Sequence, residues 1–315
     1  MSLPDARVVF FGSGEIAIPA FQRLIDEGPR PLALVTQPDK PAGRHRALTP
    51  PPIKRVALSA GIPVLQPESA RDEGFLDELR SLGPDLIVVM AYGQILSKGL
   101  IAIPGIACIN LHASILPRHR GASCIQAAID EGDAETGVTV MHVVQKLDAG
   151  DIIHAETTVI SPEDTGSTVH DRLAGVAATA LFAALPGLLA GSAGRLPQDA
   201  SAVTYAPKLG REDGRIDWTW TAGRIARRIR AYEPWPGTWT TIDDGHGPKR
   251  LKIFPADAVD GETSPPGTLS FSEEGLPRIS CGDGYLVLGD VQADGSRRMA
   301  AADWVKGLRG ETRIL

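Results

Sequence analysis

The sequence predicts an α/β fold in which a doubly wound, mostly parallel sheet is followed by a small, OB-like β-barrel domain. The first half alternates short, continuously apolar strands with helical patterns, as expected for strands that are buried on both faces of a parallel sheet. The last third shows short strands separated by Gly/Pro turns, which are typical of a small barrel. We therefore expect a first domain at residues 1–191, a linker at 192–206 and a second domain at 207–315.

The elements of the first domain follow from apolar runs and from helical spacing. The predicted strands are Arg7–Phe11, Leu32–Thr36, Pro63–Leu65, Leu86–Met90, Ile106–Leu111 and the β pair Gly137–Val144 and Asp151–Ile160. The predicted helices are Ile16–Glu27, Ile53–Ala60, Glu73–Leu82, Cys124–Glu131 and Thr168–Leu189. The stretch Gln37–Pro52, which is rich in Pro and basic residues, is expected to be a long loop.

The second domain begins after a change in composition. Residues Ser192–Ser201 are mostly small and polar, as in a linker. A helix is predicted at Thr221–Tyr232, because Ile225 and Ile229 have the spacing of a buried helix face. Strands are predicted within WPGTWTTI, RLKIFPA, PGTLSF and PRISCGDGYLVLGDVQ.

The charge balance limits the kind of partner. The composition, with 43% hydrophobic and 22% charged residues, is that of a globular protein with a sizeable core. The net charge is −6, and from Ser201 onward 16 basic residues balance 16 acidic ones, so the acidic excess lies in the first 200 residues. A polyanionic partner must therefore be bound by local patches rather than by a general positive field.

The cysteines and the apolar stretches bear on the cellular compartment. Cys108, Cys124 and Cys281 are odd in number and form no CxxC, which argues against a disulfide framework and favours the reducing cytoplasm. MSLPDARVVFFG does not resemble a signal peptide. The apolar stretch Val176–Gly191 is interrupted by Pro186, which predicts a buried helix rather than a membrane span. We expect a monomer with no membrane partner.

The turn after the first strand superficially indicates a dinucleotide site. Gly12, Gly14 and Ala17 satisfy the pattern GxGxxG/A. That function also requires an acidic residue at the end of the second strand to bind ribose hydroxyls, and Thr36 and Gln37 stand there instead. A tight turn between strand and helix is the favoured interpretation.

A polar pair follows the predicted strand Ile106–Leu111. In an open α/β sheet ligands bind at the carboxyl ends of the strands, and Asn110 and His112 lie at such an end. Residues two apart on an extended chain point the same way, so an amide and an imidazole can together stabilise an oxyanion in acyl transfer. We expect His112 to be neutral at rest and to become charged as the oxyanion develops. Such a pair is more often structural when it stands alone.

A second polar turn lies in QKLDAGDII. Asp148 is placed to orient the imidazole of His112, to raise its pKa and to relay a proton from an attacking amine, whereas Asp151 is interpreted as an ordinary turn residue. The histidines show no metal-ligand spacing and lack a carboxylate partner motif, so no metal site is predicted.

Several stretches together resemble one family. NLHASILPRHRGAS followed by AIDEGDAETGVTVMHVVQKLDAGDII closely resembles the formyltetrahydrofolate-dependent formyltransferases, and FFGSGEIAIP, TQPDKPAGR and AYGQIL extend the resemblance. VTYAPKLGREDGRIDW and IRAYEPWPGTW resemble the carboxyl-terminal domain of members that act on tRNA. The resemblance implies a Rossmann-like catalytic domain and a tRNA-binding second domain. It also implies formyl transfer from 10-formyltetrahydrofolate to the α-amine of methionine on initiator tRNA.

The resemblance also assigns roles to residues. It makes Asn110, His112 and Asp148 the catalytic trio, with no metal required. The folate would be held by Ser114, Ile115, Leu116 and Pro117 and by Met90, Tyr92, Gln94, Ile95 and Leu96. Ala113 departs from the family, which commonly has Gly there, and this bears only on the local backbone geometry.

Basic residues in two places are candidates for RNA contacts. The loop KPAGRHR carries Lys40, Arg44 and Arg46 and resembles the tRNA-reading loop of the family. On the predicted helix TAGRIARRIRAY three arginines share the outer face, where like charges repel unless an anion binds them. The candidates there are Arg224, Arg227 and Arg228, which could form an RNA track together with Lys208 from outside the helix, although Asp213 and Asp217 are possible neutralising neighbours.

Three alternatives remain open from the sequence. A formyltransferase of a small amine, such as a nucleotide sugar or a glycinamide ribotide, would share the trio but should lack the PAGR loop and the Arg-bearing second domain. An NAD-dependent oxidoreductase would use the GSGEIA turn, and the missing acidic residue speaks against it. An RNA-binding module without catalysis would use Asn110 and His112 structurally.

Overall fold

The computed structural model describes residues 6–42, 47–244, 247–261, 264–308 and 312–314. These residues form two compact units, the first within Met1–Cys124, Glu135–Val159 and His170–Ala206 and the second within Ile125–Ala134, Ile160–Val169 and Pro207–Leu315. Residues 192–206, which the composition assigns to a linker, belong to the first unit. The predicted domain limits at 191 and 207 stay a prediction.

The secondary structure alternates between strands and helices in the first half of the chain and consists mainly of strands in the last third. The described strands are β1 (Val8–Gly12), β2 (Ala33–Val35), β3 (Lys40–Ala42), β4 (Ala47–Thr49), β5 (Val64–Leu65), β6 (Leu86–Met90), β7 (Ala107–His112), β8 (Glu135–His142), β9 (Ile152–Val159), β10 (Thr238–Asp243), β11 (Pro248–Ile253), β12 (Ala256–Asp260), β13 (Leu269–Phe271), β14 (Pro277–Ser280), β15 (Gly284–Leu288), β16 (Asp290–Ala293), β17 (Met299–Ala300) and β18 (Arg313–Ile314). The described helices are α1 (Ile18–Glu27), α2 (Pro52–Ser59), α3 (Glu73–Leu82), α4 (Lys98–Ile101), α5 (Cys124–Glu131), α6 (Gly166–Leu189), α7 (Ala222–Ala231) and α8 (Ala301–Lys306).

The first unit is built on one sheet with the strand order β5-β2-β1-β6-β7-β8-β9. The five strands β5, β2, β1, β6 and β7 are parallel to one another, and β8 and β9 are added antiparallel at one edge of the sheet. All residues of β1 and β6 are buried, because helices cover both faces of a doubly wound sheet. The predicted mostly parallel α/β sheet is confirmed.

Two local predictions in the first unit need correction. Gln37–Pro52 is not a continuous loop, because β3 and β4 pair as a hairpin with Lys40 opposite Thr49. Both strands are short and lie at the surface, so they lack the apolar pattern from which a strand is recognised. Strand β7 also runs one residue further than predicted, and therefore His112 belongs to the strand itself.

Helix α6 is the longest helix described. Pro186 lies inside it near the carboxyl end, and the helix packs on α1, where the guanidinium of Arg23 lies 4.1 Å from the ring centroid of Phe182. Among the described residues it alone has the length and apolar composition of a membrane span, and half of its most apolar window is buried in the protein. Core helices of this kind pass the same test, so the finding is weak evidence for a membrane.

The second unit contains two antiparallel sheets that share a core. Their strand orders are β17-β16-β11-β10-β18 and β12-β15-β14-β13. Both sheets contribute apolar residues to the same core, among them Leu251 and Leu286, and α7 adds Ile225 and Ile229. The predicted small β domain is confirmed as a domain of antiparallel strands, and so is the buried isoleucine face of its helix.

Candidate active site

The carboxyl ends of β1, β6 and β7 lie at the same edge of the sheet. These strands are parallel neighbours, with Gly12 opposite Met90 and Asn110 opposite Val89. Ligands bind at this edge in open α/β folds. The loops that leave it therefore hold the candidate site.

His112 ends β7 with both ring nitrogens facing protein groups. Its Nε2 lies 2.9 Å from the carbonyl oxygen of His119, and its Nδ1 lies 3.7 Å from Oδ2 of Asp148. A carbonyl can only accept, so Nε2 carries a proton and donates it to His119. When the ring is neutral, the bare Nδ1 therefore faces a carboxylate, and protonation of Nδ1 converts this contact into an ion pair.

The electrostatics around His112 favour its charged form. The side chain is only 6% exposed, and burial lowers its pKa. The opposing effects are larger in sum, because Cys124, Asp148 and the His119 carbonyl all favour the imidazolium and raise the pKa to about 9. This direction argues against the expected neutral resting state of His112. A pKa raised in this way favours the cationic ring at neutral pH, before any substrate binds.

Asp148 is held in an unusual backbone conformation. Its φ is +46°, in the left-handed region that Asp adopts more readily than most residues. Its Oδ2 accepts a hydrogen bond of 2.8 Å from the Gly121 amide. In the same turn a Cβ at Gly150 would lie 1.7 Å from the carbonyl oxygen of His142, so only glycine fits there. The turn between β8 and β9 is thus fixed in a shape that directs the carboxylate to His112.

Asn110 lies on the same strand as His112 and on the same face, because it is two residues away. It is half-buried, and within the described ranges no hydrogen-bond partner is found for its amide. The structure thus brings Asp148 to His112 and leaves the Asn110 amide available beside them. This arrangement suits an oxyanion that needs a neutral donor and a cation.

The loop after β7 is organised from within. Ser114 and Leu116 are buried, and the Ser114 hydroxyl donates to the Arg118 carbonyl at 2.7 Å. The buried Thr139 hydroxyl donates to the Ser114 carbonyl at 2.6 Å and accepts from the Leu116 amide at 3.1 Å. Of the predicted folate contacts in this loop, Ile115 and Pro117 are partly exposed. The side chains of Ser114 and Leu116 serve the loop itself.

The predicted folate contacts in the loop after β6 also include both buried and exposed side chains. Met90 and Tyr92 are buried in the core, and burial raises the pKa of Tyr92 to about 12. Any contact of these two residues with a ligand would be through the main chain. Gln94 ties the loop down by accepting from the Ala70 amide at 2.7 Å. Leu96 is also buried. Ile95 is 72% exposed and offers its side chain to a ligand.

The glycine turn after β1 uses its amides internally. The amides of Ser13 and Gly14 donate to the carbonyl of Ala91 at 3.2 and 3.4 Å. In a dinucleotide site such amides approach a pyrophosphate. The Ser13 hydroxyl also accepts from the Gln37 amide at 3.0 Å. The turn therefore supports the loop after β6, in agreement with the non-nucleotide interpretation.

The predicted RNA-binding residues differ in exposure and in ion pairing. Lys40, Lys208 and Arg224 are exposed, and Arg227 is partly exposed. Arg44 and Arg46 lie outside the described residues. The prediction for Arg228 is corrected, because its guanidinium forms an ion pair of 2.6 Å with Asp130, with the two side chains 16% and 12% exposed. A charge neutralised in this way is not available to a phosphate.

Sequence reasoning missed several residues that shape the site. Thr139, Cys124 and Arg120 are buried next to the predicted trio or its loops, and Gln198 contacts the Asp148 turn. Thr139 could have been noticed as a hydroxyl within an apolar strand. Gln198 gave no signal, because it stands in a stretch with the composition of a linker. Among the described residues no three His, Cys, Asp or Glu side chains gather as metal ligands.

Two family models match the chain. The model described as formyl transferase matches residues 6–185, and the model of the formyl transferase C-terminal domain matches residues 208–309. Together they cover most of both units and leave residues 186–207 between them. The chain belongs to the formyltransferase family, a class of enzymes.

Within this family the chain is similar to methionyl-tRNA formyltransferases. The methionyl-tRNA formyltransferase of Akkermansia muciniphila is 52% identical over 304 residues, which is 96% of this chain and 96% of that protein.

Two solved structures share the fold, one of them a sugar formyltransferase. The sugar 3N-formyltransferase WlaRD, crystallised in the presence of dTDP and 5-N-formyl-THF, superimposes with a TM-score of 0.67 at 17% identity, over 93% of this chain and all of its own. HypX from Aquifex aeolicus in complex with tetrahydrofolic acid has a TM-score of 0.64 at 16% identity. That match covers 98% of this chain but 49% of HypX, so the chain spans about half the length of HypX.

Proposed function

We propose that the protein transfers the formyl group of 10-formyltetrahydrofolate to the free α-amino group of methionine on initiator methionyl-tRNA. The observation that carries this proposal is the pairing of His112 with Asp148 at the carboxyl end of β7, two residues after Asn110. The similarity to methionyl-tRNA formyltransferases over 96% of the chain supports the choice of substrate.

The trio has three separate tasks in this reaction. The amine must be neutral to add to the formyl carbon, where a C–N bond forms while the carbonyl oxygen becomes an oxyanion. Asn110 donates to that oxyanion as a neutral group, and His112 stabilises it as a cation. Asp148 accepts the proton that the amine loses, and the bond from the formyl carbon to N10 of the folate then breaks as N10 takes up a proton.

The raised pKa of His112 gives this mechanism a defined charge state. Since the pKa is about 9, the imidazolium is already present at neutral pH. No proton has to arrive before the oxyanion forms, and the positive charge is held in a buried place where it acts strongly. Loss of one such donor typically slows the reaction by about 10²–10³.

The loop after β6 is suited to the formyl donor. Ala91 and Gly93 are exposed there and both have positive φ, so the main chain of this loop reaches the surface on either side of the buried Tyr92, although the Ala91 carbonyl already accepts from the Ser13 and Gly14 amides. Ile95 adds an exposed apolar side chain. A flat heterocycle with donors and acceptors along its edge fits main-chain groups flanked by an apolar contact. Folate would thus be bound mainly through the backbone of this loop.

The basic residues that remain exposed support an RNA substrate. Lys208 and Arg224 are exposed, and although the charge of Arg224 helps to lower the pKa of Asp217, its guanidinium lies 4.0 Å from the ring centroid of Trp220. A stacked arginine keeps its outward N–H groups available for phosphate. We assign Lys40, Arg227, Arg44 and Arg46 to the same partner, the last two on the resemblance of their loop.

A direct assay tests the proposal. Purified protein is incubated with 10-formyltetrahydrofolate and either initiator or elongator methionyl-tRNA, and formylmethionine is measured after deacylation. We expect formylation of the initiator tRNA and little of the elongator. Parallel reactions contain a nucleotide amino sugar or a glycinamide ribotide. Formylation of one of these small amines, without formylation of methionyl-tRNA, would contradict the proposal.

The same assay identifies the residues that act. His112→Ala should reduce turnover by orders of magnitude while tRNA affinity stays nearly unchanged, because the imidazole acts on the formyl group and not on the RNA. His170→Ala removes a partly exposed histidine from α6 and serves as the matched control. Activity of His112→Ala within tenfold of the unmodified enzyme would remove His112 from the catalytic role.

A further inference from the structure

The segment between the two matched family regions sends a side chain to the catalytic turn. Gln198 lies in this segment, and its amide nitrogen donates to the carbonyl oxygens of Asp148 at 2.9 Å and of Gly150 at 2.8 Å. Both carbonyls belong to the turn between β8 and β9. The two hydrogens of the amide group are therefore donated to the carbonyls of the residues that precede and follow Ala149.

The oxygen of the same amide is also fully used. Gln198 Oε1 accepts from Nε of Arg120 at 3.0 Å and from Nη2 at 2.7 Å. Only one orientation of the amide gives donors to the two carbonyls and an acceptor to the guanidinium. The neighbours thus fix which end of Gln198 faces the turn.

Arg120 is itself immobilised. The residue is only 4% exposed. Its main-chain amide donates to the Thr204 carbonyl at 2.9 Å, and its carbonyl accepts from the Ala206 amide at 2.7 Å. A buried guanidinium with a paired backbone is a rigid anchor, because leaving its N–H groups without acceptors would be costly.

The next residue completes a ring of contacts around Asp148. Gly121 donates its amide to the Asp148 carboxylate, and Arg120 reaches the Asp148 carbonyl through Gln198. A Cβ at Gly121 would lie 2.4 Å from the carbonyl oxygen of Ala206, so the close approach of these segments requires glycine. The carboxylate and the backbone of Asp148 are therefore held from two sides by one rigid segment.

We propose that Gln198 is a positioning residue, which with Arg120 as its anchor holds the turn that carries Asp148 so that the carboxylate faces His112. This inference rests on the proposed function for its catalytic meaning. Gln198 does not touch the reacting atoms. It acts by maintaining the left-handed conformation of Asp148. Without this support, Asp148 would also adopt other backbone conformations.

The decisive variant is Gln198→Glu. A carboxylate at this position keeps the acceptor for Arg120 and turns the contact into an ion pair, but it removes both donors to the turn. A purely structural role of Gln198 predicts a lower melting temperature with an unchanged kcat of the folded protein, because two buried carbonyls lose their donors. A positioning role predicts that the kcat of the folded protein is also lower, by about tenfold, the effect of losing one to two hydrogen bonds. The KM for either substrate should change little. Gln145→Glu places the same charge on an exposed residue near the same turn and is the matched control.

A second readout does not depend on activity. Three groups face the His112 ring, namely the Asp148 carboxylate, the Cys124 thiol from the start of α5 and the His119 carbonyl. Gln198→Leu adds no charge, so displacement of Asp148 is the way in which it lowers the pKa of His112. NMR titration of labelled histidine should show this pKa lower than in the unmodified enzyme, in the direction of the value for Asp148→Asn.

The outcomes separate this inference from the proposed function. If the unmodified enzyme fails to formylate methionyl-tRNA, the function is wrong, and the titration still tests the positioning of Asp148. If Gln198→Glu has the kcat of the unmodified enzyme, or Gln198→Leu leaves the His112 titration unchanged, the positioning role is overturned. Should Gln198→Leu not fold, the titration is made on Gln198→Glu. The added negative charge by itself would raise the pKa of His112, so a fall of this pKa could come only from displacement of Asp148.

Discussion

Replacement of Asp148 by Asn removes one negative charge from beside His112 while preserving the size of the side chain. The distance from Oδ2 to Nδ1 is 3.7 Å, and both side chains are largely buried. At an effective dielectric constant of about 20, two charges at this distance interact by about 4 kcal/mol, an upper limit that corresponds to a change of about 3 in a pKa. Since Cys124 and the His119 carbonyl remain, we expect the pKa of His112 to fall from about 9 by about 2.

The shift matters because two protonation states must coexist. The methionine amine, with an ordinary pKa of about 7.7–8.0, has to be neutral, and His112 has to be charged. With the His112 pKa at about 9 the two conditions overlap between roughly pH 8 and 9. When the pKa of His112 falls below that of the amine, the fraction of productive complexes drops by about tenfold. The loss of the proton acceptor itself adds about 10²–10⁴.

The measurement is the pH profile of kcat/KM for methionyl-tRNA between pH 6 and 10, together with NMR titration of His112. The unmodified enzyme should lose activity below the amine pKa and again above about pH 9, and Asp148→Asn should have a low, narrow profile centred at lower pH. Asp151→Asn changes the same residue type three positions away and serves as control. A His112 pKa that stays near 9 in Asp148→Asn would refute the role given to the carboxylate.

Four other outcomes follow from the structure. Gly121→Ala should lower the free energy of unfolding by about 3 kcal/mol or more, because φ is +118° and the new methyl group meets a carbonyl oxygen. Arg228→Ala should destabilise by about 3–5 kcal/mol, since Asp130 is left buried and unpaired, whereas Arg224→Ala should weaken tRNA binding and lower its salt dependence by about one ion. Protonated His112 should stabilise the fold below about pH 6.5, and on the order of 3 kcal/mol should be lost as the pH rises through about 9.

Thermal unfolding, filter binding and pH titration of stability check these outcomes. Gly121→Ala with an unchanged melting temperature would show that the segment near Ala206 is free to move apart. Equal losses of tRNA affinity in Arg228→Ala and Arg224→Ala, with both proteins stable, would show that Arg228 also contacts the tRNA. A His112→Gln variant should lose the slope of stability between pH 6.5 and 9, and retention of that slope would assign it to another group.

The general fold could be read from the sequence because its strands are buried on both faces. A continuous apolar run of five residues such as Leu86–Met90 is too short for a core helix, and with helical spacing on both sides it predicts a buried parallel strand. The structure has a strand with these bounds. The hairpin of β3 and β4 escaped because its strands are short and lie at the surface, where nothing in the sequence distinguishes a strand from a loop.

The candidate site was predictable only in part. Asn110 and His112 share one strand, so a period of two is enough to bring them together. The contact of Asp148 with His112 depends on a turn between two other strands, and the resemblance to a family indicated it before any geometry could. The contributions of Cys124 and the His119 carbonyl to the His112 pKa, beside the expected one of Asp148, and the pairing of Arg228 with Asp130 could not be foreseen, because both depend on contacts made only in the folded chain.

If this enzyme is divided into two fragments, residues 198–206 have to remain with the first fragment. The first matched family region ends at residue 185, and a truncated chain that stopped there would discard both the amide that steadies the Asp148 turn and the backbone partners of Arg120. A cut after Ala206 would keep them. A junction that keeps the Asp148 turn supported therefore lies some twenty residues beyond the end of the first family match, although any cut there still separates Asp130 from Arg228.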